Sequence, residues 1–264
     1  MLKQLIIAFA GRKQSGKSSS CNYFIAKYLN QKFKDYSIND LGELTYCNRV
    51  TTSFPETNIL KVYSFADPLK RFCIEVLNAP YESCYGTDEQ KNALIPHLLW
   101  QNLPKELISK TIKIKDSVYQ EFSGIVREGY KYEEYKYEEY KTGPMSGREL
   151  MQILGTNFCR KLYDDCWVRA TYETIKREAF PIALISDCRF QNELYYPRLH
   201  NIKSYYIKLK KAPFKEDTHA SETGLDSVPD SDFDFVINNE NLSLKEKCTL
   251  LDPIFDKLIL ESQQ

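Results

Sequence analysis

A glycine-rich segment near the start of the chain limits the possible folds more than any other feature. Residues 11–18 read Gly-Arg-Lys-Gln-Ser-Gly-Lys-Ser and match every fixed position of the phosphate-loop pattern: glycine, four residues, then Gly-Lys-Ser/Thr. The apolar run at 5–10 predicts a buried strand before this segment, and apolar residues at helical spacing across 21–29 predict an amphipathic helix after it. A strand, a glycine turn and a helix in this order form the context in which the pattern binds phosphate.

The chemistry of this segment predicts a site for the phosphates of ATP. Gly11 and Gly16 let backbone N–H groups turn inward around a phosphate, and the helix N-terminus adds partial positive charge. We expect Lys17 to reach the β- and γ-phosphates as a catalytic residue, and the Ser18 hydroxyl to ligate Mg²⁺, the predicted cofactor. The predicted ATP-binding residues of the segment are Gly11, Gln14, Ser15, Gly16, Lys17, Ser18 and Ser19.

Charge and cysteine content argue against several other classes of protein. The 264 residues include 36 Lys and Arg and 36 Asp and Glu, so the chain lacks the basic field expected of a protein that binds nucleic acid or a membrane. No apolar run is long enough to cross a membrane, and the N-terminus lacks a signal-peptide layout, so we expect a cytoplasmic protein. Eight scattered cysteines without a C-x-x-C pair, and only three histidines, predict reduced thiols and no zinc site.

The rest of the chain alternates between apolar runs and helical spacing. The predicted strands lie at 60–66, 181–186, 204–209 and 233–237. The predicted helices begin at 67, 87, 146 and about 164, and a last helix at 242–260 is expected to break near Pro253. Residues 31–58 are expected to be irregular. The alternation predicts an α/β fold, one three-layer α/β/α domain over 1–264 with a central parallel sheet and right-handed crossovers.

Two segments stand apart from this alternation. Residues 126–142 contain two tandem copies of Lys-Tyr-Glu-Glu-Tyr, which start at 131 and 136. Their low complexity predicts an exposed insertion, either a loop or a β-ribbon. Residues 210–222 begin with a basic stretch and are a candidate lid, because phosphoryl transfer needs a moving element that excludes water. A basic surface loop is the alternative for this second segment.

Candidate chemistry also follows the buried strand at 181–186. Residues 187–193 read Asp-Cys-Arg-Phe-Gln-Asn-Glu, and polar residues at the carboxyl end of a parallel strand lie where α/β sheets place their active sites. Lys70, in the first turn of the helix that begins at 67, is either solvated surface charge or part of a cationic wall for a second phosphate. Trp167 is either a core residue or a platform for a nucleotide base.

Taken in order, these segments make the chain resemble the deoxynucleoside monophosphate kinases of bacteriophages and large DNA viruses, which belong to the P-loop nucleoside monophosphate kinase superfamily. The stretches that carry the resemblance are 11–18, 65–70, 86–92, 147–152, 155–156, 165–168, 186–193, 219–225 and 237–239. The Lys-Tyr-Glu-Glu-Tyr tract has no counterpart in the family, and the segment at 35–58 is longer than the family pattern.

The resemblance implies transfer of the γ-phosphoryl group of ATP to a deoxynucleoside monophosphate. It implies monophosphate-binding roles for Lys13, Lys91, Arg148, Gly155, Thr156, Trp167, Asp187, Arg189 and Glu193. Lys70 joins the predicted monophosphate-binding residues through the cationic wall described above. It also implies that Asn238 and Asn239 lie beside the adenine. Arg189 and Asp187 join Lys17 as the predicted catalytic residues. Arg189 can place two N–H groups on phosphate oxygens, whereas Asp187 either holds a magnesium-bound water or, in the interpretation we favour, accepts hydrogen bonds from the sugar.

Other functions are compatible with a phosphate loop alone. One alternative is a kinase of another small acceptor, for example dephospho-coenzyme A or shikimate. Another is a nucleotide-binding regulatory module without enzymatic activity, which the polar cluster at 187–193 argues against. The sequence leaves a homodimer open, and a viral protein of this class would act in the host cytoplasm.

Overall fold

A computed structural model describes residues 4–31, 33–51, 59–107, 110–115, 135–212 and 223–262. Contacts group the chain into two compact units. The first, the sheet unit, comprises Met1–Leu69 and Leu162–Gln264, and the second, the inserted unit, comprises Lys70–Lys161. Of the two segments that the sequence sets apart, residues 126–134 of the predicted insertion and residues 213–222 of the candidate lid lie outside the described residues.

Strands and helices alternate along the chain. The strands are β1 (Leu5–Ala10), β2 (Tyr36–Ile38), β3 (Leu44–Tyr46), β4 (Arg49–Val50), β5 (Leu60–Tyr63), β6 (Leu94–Leu99), β7 (Lys110–Lys115), β8 (Tyr135–Tyr140), β9 (Pro144–Ser146), β10 (Ile182–Cys188), β11 (Ser204–Lys210) and β12 (Phe235–Asn238). The helices are α1 (Lys17–Leu29), α2 (Asp67–Glu75), α3 (Tyr81–Tyr85), α4 (Asp88–Asn92), α5 (Gly147–Gln152), α6 (Arg160–Leu162), α7 (Cys166–Glu178), α8 (Gln191–Leu199) and α9 (Leu244–Ser262). A π-helical segment spans Ile153–Cys159, and short 3₁₀ turns lie at Trp100–Asn102, Lys105–Leu107 and Asp230–Asp232.

A five-stranded parallel sheet forms the centre of the sheet unit. Its spatial order is β12-β11-β1-β10-β5, and every neighbouring pair is parallel. Counted from the β5 edge and numbered by their order in the sequence, the five strands run 2-3-1-4-5, with the strand before the phosphate loop in the middle. The predicted three-layer α/β/α P-loop kinase fold with a central parallel sheet is therefore confirmed.

Both faces of the sheet are covered, because alternate residues of β1 point into two different core clusters. Phe9 lies on one face with Phe24 of α1 and Phe255 of α9, whose ring centroids are 4.9 Å apart. Ala8 lies on the other face, in a cluster with residues of α7 and α8 that include Tyr172. Burial on both sides explains why β1 and β10 read as continuous apolar runs in the sequence.

The parallel arrangement brings the carboxyl ends of the strands to one edge of the sheet. The phosphate loop follows β1, residues 64–66 follow β5, Arg189 follows β10, and residues 211–212 follow β11. This edge is where an open α/β sheet forms its ligand site.

The segment at 31–58 was predicted to be irregular, and this prediction is wrong for β2, β3 and β4, which form a small antiparallel sheet. The Asn39 Oδ1 atom accepts hydrogen bonds from the backbone N–H groups of Leu41 (3.1 Å) and Glu43 (2.9 Å) and closes the turn between β2 and β3. The hydroxyls of Ser37 and Thr45 pair across the strands at 2.7 Å. Strands of two or three residues are too short to show a periodic apolar pattern.

The predicted break at Pro253 is also wrong, because α9 runs from Leu244 to Ser262 through this residue. A proline inside a helix costs about 3 kcal/mol. Leu251, Phe255 and Leu258 are fully buried on the same helix, and burial of each such side chain is worth about 1.5–3 kcal/mol. The packing of this face outweighs the cost of the proline.

The inserted unit contains short helices and two antiparallel strand pairs, β6–β9 and β7–β8. The second Lys-Tyr-Glu-Glu-Tyr copy lies in β8, which pairs with β7 from Lys110 opposite Tyr140 to Lys115 opposite Tyr135. The long helix predicted from 146 is present from Gly147 to Leu162, but a π-helical segment that includes the buried Gly155 separates α5 from α6. Across the described ranges, none of the helices has the length and hydropathy that a membrane span requires.

Candidate nucleotide site

The phosphate loop adopts a conformation that requires its two glycines. Gly11 has φ +142° and Gly16 has φ +87°, a region that L-residues rarely occupy. A Cβ at Gly11 would lie 2.5 Å from the carbonyl oxygen of Leu209, and a Cβ at Gly16 would lie 2.5 Å from Nζ of Lys247. Backbone strain and lack of space both explain why the glycine pattern is a strong signal in the sequence.

Lys17 opens α1 and its ammonium group lies inside the loop. Its side chain is only 6% exposed, and Nζ donates to the carbonyl oxygens of Gly11 at 2.7 Å and Arg12 at 2.5 Å. Gly16 precedes the helix as its N-cap and supplies no side-chain acceptor. The first-turn N–H groups of α1 therefore have no cap from Gly16, which is the arrangement that binds anions at helix N-termini.

Residues from three other parts of the chain contact the loop and the first turn of α1. From the end of β12, Asn239 Nδ2 donates to the carbonyl oxygen of Ser15 at 2.7 Å. From beyond β11, Lys211 Nζ donates to the carbonyl oxygen of Gln14 at 3.1 Å. From α9, Lys247 Nζ lies 2.5 Å from Ser19 Oγ. All three contacts join the loop region to residues more than 190 positions away in the sequence.

Asn238 and Asn239, which the resemblance places beside the adenine, differ in their surroundings. The Asn239 amide contacts the phosphate loop as described, and its backbone N–H donates to the carbonyl oxygen of Lys210 at 2.9 Å. The Asn238 side chain is exposed and its Oδ1 accepts from the N–H of Glu240 at 3.2 Å. An adenine contact by either residue remains a prediction.

A cleft of about 250 Å³ lies beside the loop at the carboxyl edge of the sheet. Its lining includes five basic residues and two acidic ones: Arg12, Arg189, Lys208, Lys210, Lys211, Asp226 and Glu240. Clefts lined by one sign of charge concentrate ligands of the opposite sign. The excess of cations over carboxylates suits a phosphorylated ligand.

The carboxylates of the 223–234 segment hold several of these cations. Asp226 forms an ion pair with Arg12, and Asp230 accepts from Lys208 at 3.0 Å and from Lys210 at 2.9 Å. The hydrogen bonds from Lys210 and Lys208 keep the pKa of Asp230 below its usual range. Three of the five cations of the cleft are therefore paired with carboxylates of this segment.

Asp187 lies near the end of β10, and its carboxylate faces the turn that follows β5. Oδ1 accepts from the N–H of Phe65 at 2.7 Å, and Oδ2 accepts from Ser64 Oγ at 2.5 Å and the N–H of Ala66 at 3.1 Å. A carboxylate offers about four acceptor positions, so three of them are occupied by this turn. A sugar or a magnesium-bound water would have to use the remaining position.

These contacts predict the effect of replacing Asp187 with asparagine. The amide group would face a backbone N–H with its own N–H₂, so we expect unfolding to become easier by roughly 1–3 kcal/mol. Urea unfolding measures this change, with the exposed Asp40→Asn as the matched control. An unchanged unfolding midpoint together with a raised KM for the monophosphate would instead support the sugar interpretation.

Arg189 and Glu193 are linked at the start of α8. Glu193 is 2% exposed, and its Oε2 accepts from the backbone N–H groups of Arg189 at 2.7 Å and Phe190 at 3.0 Å. Arg189 lines the cleft. We therefore propose Glu193 as a residue that positions Arg189, in place of the direct contact with the acceptor that the resemblance implies.

The remaining predicted monophosphate residues are divided between the units. In the sheet unit, Lys13 is half-buried in the phosphate loop and Trp167 is half-buried in the first turn of α7. The inserted unit contains Lys70, Lys91, Arg148, Gly155 and Thr156.

Three of the inserted unit's cations belong to one group of packed helices. Lys70 Nζ lies 4.5 Å from the ring centroid of Tyr85, and burial raises the pKa of the Cys84 thiol while the charges of Lys70 and Lys91 oppose the rise. Arg148 binds Asp88 at 2.6 Å, and its Nε donates to Oδ1 of Asn92 at 2.9 Å. Lys70 therefore lies next to α3, Lys91 belongs to α4, and Arg148 of α5 contacts α4.

Sequence reasoning missed several residues that line the cleft, pair with its cations or contact the phosphate-loop region. Arg12 occupies a variable position of the phosphate-loop pattern, and Asp226, Asp230 and Lys247 belong to no motif. Their partners lie between 20 and 231 residues away along the chain. Only the fold brings them to these partners.

Comparisons with known proteins identify the family to which the chain belongs. The sequence profile of the deoxynucleotide monophosphate kinase family matches residues 91–248, which is more than half of the chain. The chain therefore belongs to the deoxynucleotide monophosphate kinase family, and the protein is a nucleotide kinase. It is also similar to a protein of Acanthamoeba polyphaga mimivirus that is provisionally named a deoxynucleotide monophosphate kinase, with 27% identity over 181 residues that cover 68% of this chain and 75% of the relative.

Proposed function

We propose that the protein transfers the γ-phosphoryl group of ATP to a deoxynucleoside monophosphate and releases ADP and the deoxynucleoside diphosphate. An oxygen of the acceptor phosphate forms a bond to the γ-phosphorus while the bond between this phosphorus and the β–γ bridging oxygen breaks. The observation that carries the proposal is the position of the Lys17 ammonium inside a glycine-dependent loop at the sheet edge that also carries Arg189. The family assignment supplies the acceptor class.

The proposed donor site works by electrostatic stabilisation rather than covalent chemistry. In this mechanism, Lys17 exchanges its bonds to the loop carbonyls for bonds to phosphate oxygens. The N–H groups at the start of α1 bind the phosphate chain, with Gln14, Ser15, Ser18 and Ser19 as the proposed neighbours. Arg189 neutralises charge on the phosphoryl group in transfer, with a planar fork that can bind two oxygens.

The residues present fit a magnesium ion that enters with ATP. The Ser18 side chain is exposed in the first turn of α1, so its hydroxyl is accessible as a ligand. Within the described ranges, no group of three or more His, Cys, Asp or Glu residues could hold a metal by itself. Mg²⁺ commonly keeps several waters and takes phosphate oxygens as ligands, so the Ser18 hydroxyl together with the nucleotide could hold it. When bound, the ion neutralises charge on the β- and γ-phosphates.

Each unit carries its own proposed acceptor residues. Lys13, Trp167, Asp187 and Arg189 belong to the sheet unit, and Lys70, Lys91, Arg148, Gly155 and Thr156 belong to the inserted unit. Three cations around α3 and α4 supply positive charge for a monophosphate, and Trp167 supplies an aromatic surface for a base.

An acceptor panel tests this proposal. ADP release is measured with ATP and each common deoxy- and ribonucleoside monophosphate in turn, with dephospho-coenzyme A and shikimate as the rival acceptors. We expect ADP release to depend on a deoxynucleoside monophosphate. Turnover with only a rival acceptor would identify another kinase, and ATP binding without acceptor-dependent ADP release would identify a regulatory module.

A further inference from the structure

Lys247 of α9 is a buried cation that no motif of the sequence singles out. Its side chain is 3% exposed, and Nζ lies 2.5 Å from Ser19 Oγ and 3.3 Å from the carbonyl oxygen of Gly16. Both partners are neutral oxygen atoms of the phosphate loop or the first turn of α1. The ammonium group therefore approaches the loop from the side of α9.

The charge of Lys247 lacks an anionic partner in the part of the chain that the structure describes. No ion pair there includes Nζ, and the neighbouring Glu246 turns to the Ser243 hydroxyl at 2.6 Å. Burial lowers the pKa of Lys247. A buried charge without a counter-ion is costly, and an anionic ligand next to it would offset that cost.

The location of Nζ indicates which ligand would compensate it. Gly16 is the N-cap of α1 and Ser19 lies in its first turn, so both Nζ contacts border the helix N-terminus that binds phosphate. A Cβ at Gly16 would lie 2.5 Å from Nζ, which shows how closely the ammonium group approaches the loop backbone. No other charged side chain is recorded in hydrogen-bond contact with Ser19 within the described ranges.

We propose that Lys247 is a further residue of the donor-nucleotide site, whose charge stabilises the phosphate chain of ATP next to Ser19. The inference rests on the proposed function in taking ATP as the donor. Before the nucleotide binds, the ammonium group is a buried charge with only neutral acceptors. After it binds, the same group faces an anion.

The test is a comparison of Lys247→Met with Lys245→Met, which removes an exposed lysine from the same helix. Dissociation constants are measured without an acceptor for three probes: ATP, inorganic tripolyphosphate and adenosine. Because a hydrogen bond to a charged group is lost, we expect Lys247→Met to weaken ATP and tripolyphosphate binding by roughly tenfold to a hundredfold. Adenosine binding and the KM for the monophosphate should not change, and Lys247→Arg should bind ATP more tightly than Lys247→Met.

The melting temperature distinguishes a ligand-binding role from a structural one. Loss of an uncompensated buried charge should leave the Tm of the nucleotide-free protein equal or higher, while the increase in Tm caused by ATP becomes smaller. A lower Tm or failure to fold in Lys247→Met, or unchanged ATP binding in a folded variant, would overturn the inference. A wild-type protein that binds ATP but phosphorylates no nucleoside monophosphate would overturn the proposed function alone, since the effect of Lys247 on ATP binding is measured separately.

Discussion

Replacing Lys17 with methionine is expected to lower the rate of phosphoryl transfer by a factor on the order of 10² to 10³ or more, because loss of one preorganised donor has effects of this size. Methionine retains the length of the side chain but removes the ammonium group. The carbonyl oxygens of Gly11 and Arg12 lose the hydrogen bonds that they accept from the ammonium group. This loss should lower the free energy of unfolding by roughly 1.5–3 kcal/mol at most. The fold should therefore persist.

The measurement is single-turnover transfer at saturating ATP and acceptor, with circular dichroism and the unfolding midpoint as checks on the fold. Lys176→Met, at an exposed position in the last turn of α7, is the matched control and should transfer at the wild-type rate. Turnover of Lys17→Met within a few-fold of wild type would contradict the role of the loop.

Replacing Arg189 with lysine is expected to remove most of the activity although the charge is retained. Lysine cannot form two parallel N–H···O bonds to a phosphate. A lost hydrogen bond to a charged group costs roughly 1.5–3 kcal/mol, which corresponds to a decrease in kcat/KM of about tenfold to a hundredfold. The Glu193 contact should survive, because it uses the backbone N–H of Arg189 and not its guanidinium.

Steady-state kinetics with each substrate varied in turn separate this effect from a general loss of binding. The control is Arg177→Lys, which makes the same exchange at an arginine in the last turn of α7. This variant should have the wild-type kcat and KM. A full kcat in Arg189→Lys would show that the guanidinium does not act in the transition state.

Local sequence patterns predicted the parts of the fold that depend on local chemistry. The phosphate loop was predictable because Gly11 and Gly16 occupy backbone conformations that other residues avoid. The strands β1 and β10 were predictable because both of their faces are buried, which produces continuous apolar runs. The small sheet of β2–β4 and the continuity of α9 through Pro253 were not, because hydroxyl and amide side chains stabilise the first and tertiary packing stabilises the second.

The same distinction separates the predicted and the unpredicted parts of the candidate site. Lys17 follows from the phosphate-loop pattern after β1. Arg189 follows from the polar segment after β10 together with the family resemblance. Lys247 contacts Gly16 across 231 residues and Arg12 contacts Asp226 across 214 residues, so these pairs depend on the order of the strands in the sheet. Local reasoning from one sequence contains no signal for such pairs.

The central claim is that the γ-phosphoryl group of ATP passes directly to a deoxynucleoside monophosphate. Its most direct test is a single turnover with ATP labelled with ³²P in the γ-phosphate, in the presence of each deoxynucleoside monophosphate. The account predicts that the label appears in the deoxynucleoside diphosphate, at a rate that falls sharply in Lys17→Met. Label that appears only as inorganic phosphate, or that stays in ATP with every acceptor, would contradict it.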